Sequence, residues 1–194
     1  IAECNLDSRP IVALLAGSRI SEIRANLPDM VAIANRFPNY QFIVTAVPWI
    51  DKSIYDSIIA GSEVKYVCDR TQQTLAMSEA AIVTSGTATL ETALMGIPEI
   101  VIYHVPWLYE KLKPYFLRIP YISLVNINLN REAVKELVRC RLNIDEAEQE
   151  LRAILPNGCE HERMLNDFDE LRKMIGSDGA SMRFAQDIVN SLKI

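Results

Sequence analysis

The sequence predicts an α/β fold: a doubly wound, Rossmann-like parallel sheet followed by C-terminal helices. Two observations carry that prediction. Short, apolar, β-branched runs alternate with amphipathic segments through the first hundred residues. That is the pattern of strands buried on both faces and joined by crossover helices. In addition, two of the apolar runs end in a tight turn of small residues that opens a helix. Gly17-Ser18-Arg19 follows the run 11–16, and Ser85-Gly86-Thr87 follows the run 80–83.

Taken in order, the pattern predicts a strand at 11–16, a helix at 20–36 and a strand at 41–46. Pro28 falls inside the first helix and is expected to kink or restart it. A helix at 51–60 follows, with Asp51 as its N-cap, then a strand at 63–67 and a helix at 71–78 capped by Thr71. A strand at 80–84 and a helix at 87–95 come next, stopped by Gly96-Ile97-Pro98 before a strand at 99–103. A helical stretch near 106–117 precedes a shorter extended piece, Ile122-Ser123-Leu124-Val125, expected as a sixth strand. From 131 onward the spacing reads as helices only: 131–139, 144–155, 160–174 and 180–192, with Gly176-Ser177-Asp178-Gly179 as a joint. The chain therefore divides into a Rossmann-like domain, 1–142, in which a ligand-binding role is expected, and a C-terminal helical extension, 143–194.

Bulk composition narrows the function classes. A hydrophobic content of 49% with 23% charged residues excludes a disordered chain, and a net charge of −5 argues against nucleic acid as a partner. Cys4, Cys68, Cys140 and Cys159 are far apart, and His104 and His161 lack ligand spacing, so neither a metal nor a cofactor is expected. Unpaired cysteines suit a reducing cytoplasm. The chain begins with Ile1 rather than Met, which suggests a piece of a longer polypeptide. The acidic stretch 145–170 reads as a solvated helical face.

The chemistry is expected at the two turns. In the strand order 3-2-1-4-5-6, strands one and four are neighbours at the switch point, so both turns would line one crevice. Helix N-termini there offer backbone N–H groups and positive potential to a diphosphate. Arg19 would neutralise the phosphates with a planar, multi-donor fork, and Glu22, on the same face, would orient it or accept from a sugar hydroxyl. Arg19 and Glu22 are thus the candidate catalytic pair. Gly17, Ser18, Ser85, Gly86 and Thr87 would hold the nucleotide, and Glu91 would reach back to ribose hydroxyls. The alternatives are a plain surface ion pair for Arg19 and Glu22, and ordinary helix capping by Ser85 or Thr87 with Glu91 exposed. Neither turn fits a P-loop or a G-x-G-x-x-G fingerprint.

These residues also resemble a known family. Leu14-Leu15-Ala16-Gly17-Ser18-Arg19-Ile20-Ser21-Glu22-Ile23 is similar to the L-L-P-G-S-R-x-x-E-[IV] signature of bacterial lipid-A-disaccharide synthase, with Ala16 in place of Pro. Ser85-Gly86-Thr87-Ala88-Thr89-Leu90-Glu91 matches its S-G-T-A-[TA]-L-E segment. The runs 98–103, 121–126 and 131–137 follow in the family's order, with Asn130 standing for a Gly before Arg131. Asn tolerates the left-handed backbone such a Gly adopts.

The resemblance implies one half of a GT-B-type inverting glycosyltransferase, with Asn126 and Arg131 added to the nucleotide-sugar contacts. Its substrates would be UDP-2,3-diacylglucosamine and an acylated glucosamine phosphate acceptor, 2,3-diacylglucosamine 1-phosphate, with UDP released and no metal or cofactor. The general base is expected in an N-terminal domain outside this chain, so the chain alone would bind UDP weakly and turn nothing over. The segment 103–121 interleaves aromatics such as Trp107 and Phe116 with Lys111, Lys113 and Arg118. It suits either a peripheral contact with the inner membrane or packing on the absent domain. A homodimer is a further possible partner arrangement. A UDP-sugar 2-epimerase domain and a non-enzymatic nucleotide-binding module are the competing readings.

Overall fold

The computed structural model describes residues 6–84, 86–105 and 121–176. Their elements run β1 (Ile11–Leu15), α1 (Ile20–Ala34), β2 (Gln41–Ala46), α2 (Lys52–Ile59), β3 (Lys65–Cys68), α3 (Thr71–Leu75), β4 (Ser78–Thr84), α4 (Thr87–Leu94) and β5 (Glu99–His104). After the undescribed stretch come α5 (Leu124–Leu129), β6 (Lys135–Arg139), α6 (Ile144–Ile154) and α7 (His161–Ile175). The six strands form one sheet in the order β3-β2-β1-β4-β5-β6, with every pairing parallel. The doubly wound architecture is therefore as expected, with β1 and β4 adjacent at its centre.

Both faces of the sheet are covered. Along β1, Val12 and Leu14 point into a large core shared with Ile23, Leu27, Leu151 and Phe168. Ala13 and Leu15, on the other face, pack with Leu75, Ala81 and Val83. Alternate side chains thus serve two apolar layers, which is why the central strands read as unbroken hydrophobic runs. Helices α6 and α7 belong to the same core, since Leu151 and Phe168 lie in one cluster with Val12.

Several local expectations need correction. Arg131 to Arg139 is not a helix: its second half is the edge strand β6, paired with β5 from Ile100–Lys135 to His104–Arg139. The run from Ile122 is not a strand. Ser123 caps a short helix by accepting a hydrogen bond from the Asn126 N–H at 3.2 Å, and α5 follows. Pro28 does not restart the helix: α1 runs as one element from Ile20 to Ala34. Pro28 and Arg24, whose carbonyl loses its donor, are both on the exposed face, where water can replace the missing N–H. Thr71 is the first residue of α3 rather than its cap, which is Arg70. Asp51 does cap α2, accepting from the Ser53 N–H at 2.8 Å.

Other turns follow the expected chemistry. Gly96, at φ +77°, ends α4 in a Schellman arrangement, with its N–H on the Ala93 carbonyl and that of Ile97 on Thr92. Asn130 closes α5 in the left-handed region at φ 52°. The acidic stretch engages basic neighbours at the surface, as Arg36 does Asp145 and Glu148, and Arg152 does Glu148. The 106–120 part of the aromatic segment, the helix expected at 180–192, most of the 176–179 joint and Cys4 lie outside the described residues.

One core residue is chemically out of place. Glu99 opens β5 fully buried, and neither carboxylate oxygen has a hydrogen-bond partner among the described residues. Burial pushes its carboxyl well above the usual carboxylate range.

Candidate functional site

The register of the two central strands decides where the turns meet. Leu15 pairs with Val83, so β1 and β4 end side by side and release their turns into the same space. The residues there enclose a cleft of about 470 Å³. Gly17, Ser18, Arg19 and Glu22 line it from the first turn, and Gly86, Thr87 and Glu91 from the second. Ser85, in the same turn, lies outside the described residues.

The first turn is built around Glu22. Its Oε2 accepts the Ser18 N–H at 3.0 Å, and its Oε1 accepts from Arg19 Nη1 at 2.9 Å. The carboxylate, in the first turn of α1, also complements the helix dipole there. Gly17 permits this packing in two ways. Its φ of +105° is one that side-chain-bearing residues rarely adopt, and an added Cβ would stand 2.6 Å from Glu22 Oε2 and 2.8 Å from Glu22 Cβ. Glu22 is therefore mostly buried at 16% side-chain exposure, while Arg19 stands 78% exposed with only Nη1 engaged among the described residues. The pair is real. Glu22 holds the turn, and Arg19 is the cationic arm that turn presents.

The second turn has a different construction. Gly86, at φ +138°, is the N-cap of α4, and among the described residues no side chain accepts from the helix's leading N–H groups. Capping by Thr87 is absent, because Thr87 is already the first helical residue. Glu91 is held by Gln72, whose Nε2 donates to Glu91 Oε1 at 3.1 Å. Thr84, at the carboxyl end of β4, lines the cleft with a buried hydroxyl that has no hydrogen-bond partner among the described residues.

Asn126 and Arg131 do not join this site. The Asn126 side chain is buried and all its hydrogen-bonding capacity is taken. Oδ1 accepts from the Ala133 and Val134 N–H groups at 2.7 and 2.9 Å, while Nδ2 donates to the Val134 carbonyl and to Glu136 at 2.8 and 2.9 Å. It is a bracket tying α5 to the entry of β6. Arg131 binds Asp167 at 2.8 Å and Glu170 at 2.6 Å, fastening the same loop to α7. That proximity holds the Glu170 carboxyl below its ordinary value. Neither residue borders the cleft.

Trp49, Thr45, Val47 and Thr71 do border it, and sequence reasoning passed them over. The signal available was positional: each lies at or just past the carboxyl end of a strand, where open α/β sheets gather ligand residues. His104 bonds Asp29 at 2.7 Å, and His161 bonds the Ile154 carbonyl at 2.7 Å. Among the described residues no group of three His, Cys, Asp or Glu side chains could hold a metal.

Comparison with known proteins follows the same outline. Among solved structures, the fold matches WaaG, a glycosyltransferase involved in lipopolysaccharide biosynthesis, with a TM-score of 0.57 at 13% identity over 94% of this chain and 47% of that one. It also matches a UDP-GlcNAc 2-epimerase from Neisseria meningitidis bound to UDP-GlcNAc, with a TM-score of 0.58 at 14% identity over 95% and 45%. Those likenesses establish a Rossmann-like half of the GT-B type. In sequence, the chain is 35% identical over 189 residues to lipid-A-disaccharide synthase of Myxococcus xanthus, covering 94% of this chain and 49% of that protein. It is 32% identical over 193 residues to the same enzyme of Anaeromyxobacter dehalogenans, covering 96% and 50%. The chain thus spans about half the length of the curated relatives it matches. The profile of the lipid-A-disaccharide synthetase family covers residues 3–185, and on that match the chain belongs to this family.

Proposed function

We propose that this chain is the donor-binding half of an inverting glycosyltransferase that joins UDP-2,3-diacylglucosamine to 2,3-diacylglucosamine 1-phosphate and releases UDP. The observation that carries the reading is the convergence of Gly17-Ser18-Arg19 and Gly86-Thr87 on one cleft, with the Arg19 guanidinium exposed beside it. The diphosphate would lie between the turns, against the leading N–H groups of α4 and within reach of Arg19. Departure of UDP builds negative charge on those oxygens while the sugar becomes oxocarbenium-like. Donors fixed by folding, here the α4 terminus and an arginine steadied by Glu22, stabilise that charge without reorganising.

Glu22 fits a positioning role better than a reacting one, because both its oxygens hold the turn. Glu91 would exchange its bond with Gln72 for ribose hydroxyls. The base that takes the acceptor proton is assigned to the remaining half of the full-length enzyme. In the same reading the enzyme works at the cytoplasmic side of the inner membrane, where its acylated substrates reside.

Calorimetric titration tests this directly. The 194-residue chain should bind UDP and UDP-2,3-diacylglucosamine and form no disaccharide when the acceptor is added. Absence of UDP binding rejects the donor site, and turnover by this chain alone rejects the placement of the base. Family membership favours the transferase over a 2-epimerase, although both occur on this fold.

A further inference from the structure

The cleft has two unlike flanks. Gly86, Thr87 and Glu91 make one flank polar, from the start of α4. The other comes from the segments that follow β2 and β3, through Thr45, Val47, Trp49 and Thr71. Trp49 dominates it. Its side chain belongs to no core cluster, and the residue is 71% exposed. Such exposure of the bulkiest apolar residue type, inside a concave site, is the placement expected of a recognition surface.

The ring is also held. Trp49 Nε1 donates to the Ser18 carbonyl at 3.2 Å, which ties the indole to the turn that presents Arg19 to the cleft. A planar aromatic hydrogen-bonded to a phosphate-type turn matches a ligand that is charged at one end and flat and uncharged at the other. Aromatic side chains stack on nucleobases for that reason, with little regard to base identity.

Building on the donor-site reading above, we propose that Trp49 is the base platform of the cleft. Its indole stacks on the nucleobase of a nucleoside diphosphate whose phosphates occupy the Gly17–Arg19 and Gly86–Thr87 turns. The nucleoside then lies toward β2 and β3, and the diphosphate at the β1–β4 junction. In open α/β sheets this carboxyl-edge crevice is where ligands extend on either side of the switch point. Trp49 acts here as a specificity residue that discriminates a nucleotide from a bare polyphosphate.

The test compares UDP with inorganic pyrophosphate on the 194-residue chain, by calorimetry and by quenching of tryptophan fluorescence. Trp49→Ala should weaken UDP roughly tenfold or more, leave pyrophosphate affinity unchanged and abolish most of the UDP-induced quenching. Trp49→Phe should recover most of the UDP affinity, since a smaller ring still stacks. Equal losses for UDP and pyrophosphate would mean that the indole merely supports the Ser18 turn, and would overturn the proposal. So would UDP affinity that is unchanged in Trp49→Ala, as for an indole that meets another part of the full-length protein. If the unsubstituted chain binds neither ligand, the donor-site reading itself fails and the platform falls with it. Thermal unfolding of each variant confirms that an exposed side chain was removed without loss of the fold.

Discussion

The turn at Gly17–Glu22 and the bracket at Asn126–Glu136 draw on the same side-chain chemistry, an arginine, a carboxylate and small polar residues, yet they do opposite things. At the turn, Glu22 engages one arm of Arg19 and leaves the remainder of the guanidinium exposed toward a cleft. At the bracket, Asn126 uses every donor and acceptor of its amide inside the core, and Arg131 is taken up by two carboxylates of α7. Residue type is therefore a poor guide to a binding role here. What separates the regions is whether hydrogen-bonding capacity stays open and where it points.

Substitutions can break that distinction. The largest effect is expected at the bracket: Asn126→Ala orphans several buried polar groups and should cost about 3 kcal/mol in urea unfolding. The UDP affinity of the folded fraction should not change. A loss of affinity out of proportion to the loss of stability would return Asn126 to the site. Gly17→Ala should disturb both properties, with about 2 kcal/mol lost to the positive φ and the contact with Glu22, and UDP binding impaired because the turn must shift. Gly86→Ala is the control. It shares the unfavourable φ but meets nothing within 4 Å, so its cost should stay near 1 kcal/mol.

Arg19→Ala should do the reverse of Asn126→Ala. It removes an exposed arm, leaving the unfolding midpoint nearly unmoved while UDP binding falls about tenfold, a loss that shrinks as salt is added. The sharpest test of the general rule concerns Glu99. Its capacity is open too, but it faces core rather than cleft, so the comparison predicts a liability and no ligand role. Its folded carboxyl titrates above the unfolded one, so the native state retains a proton that the unfolded state loses as pH rises past about 4.5. Stability from this group is therefore present at acid pH and declines with rising pH. Glu99→Met should stabilise the chain by about 1 kcal/mol in acid, and by more at neutral pH. Equal gains at pH 4 and pH 7 would contradict the assigned titration.

Much of this was legible beforehand. The central strands are apolar on both faces, so their runs stand out, and the two glycine turns follow them directly. The edges were harder. In β6 only Leu137 and Val138 are buried, and with Ala133 and Val134 they mimic helical spacing; only pairing to β5 makes the segment a strand. The run Ile122 to Val125 is β-branched and apolar, yet a serine cap and the Asn126 bracket turn it into a helix. For the site, Arg19 and Glu22 were readable from one turn of sequence. Trp49, Gln72 and Thr84 became visible only when three separate segments were folded together.

The pairing of Val12 with Ala80 has a kinetic consequence. The cleft sits between strands that α1, β2, α2, β3 and α3 separate along the chain, so its walls close only after that intervening stretch has found its own places. Such distant parallel contacts carry a large loop-closure entropy and form slowly. Nucleotide capture is then a late reporter of refolding, trailing the gain of helical signal, and a nascent polypeptide halted before Thr84 would hold half of the pocket and grip nothing.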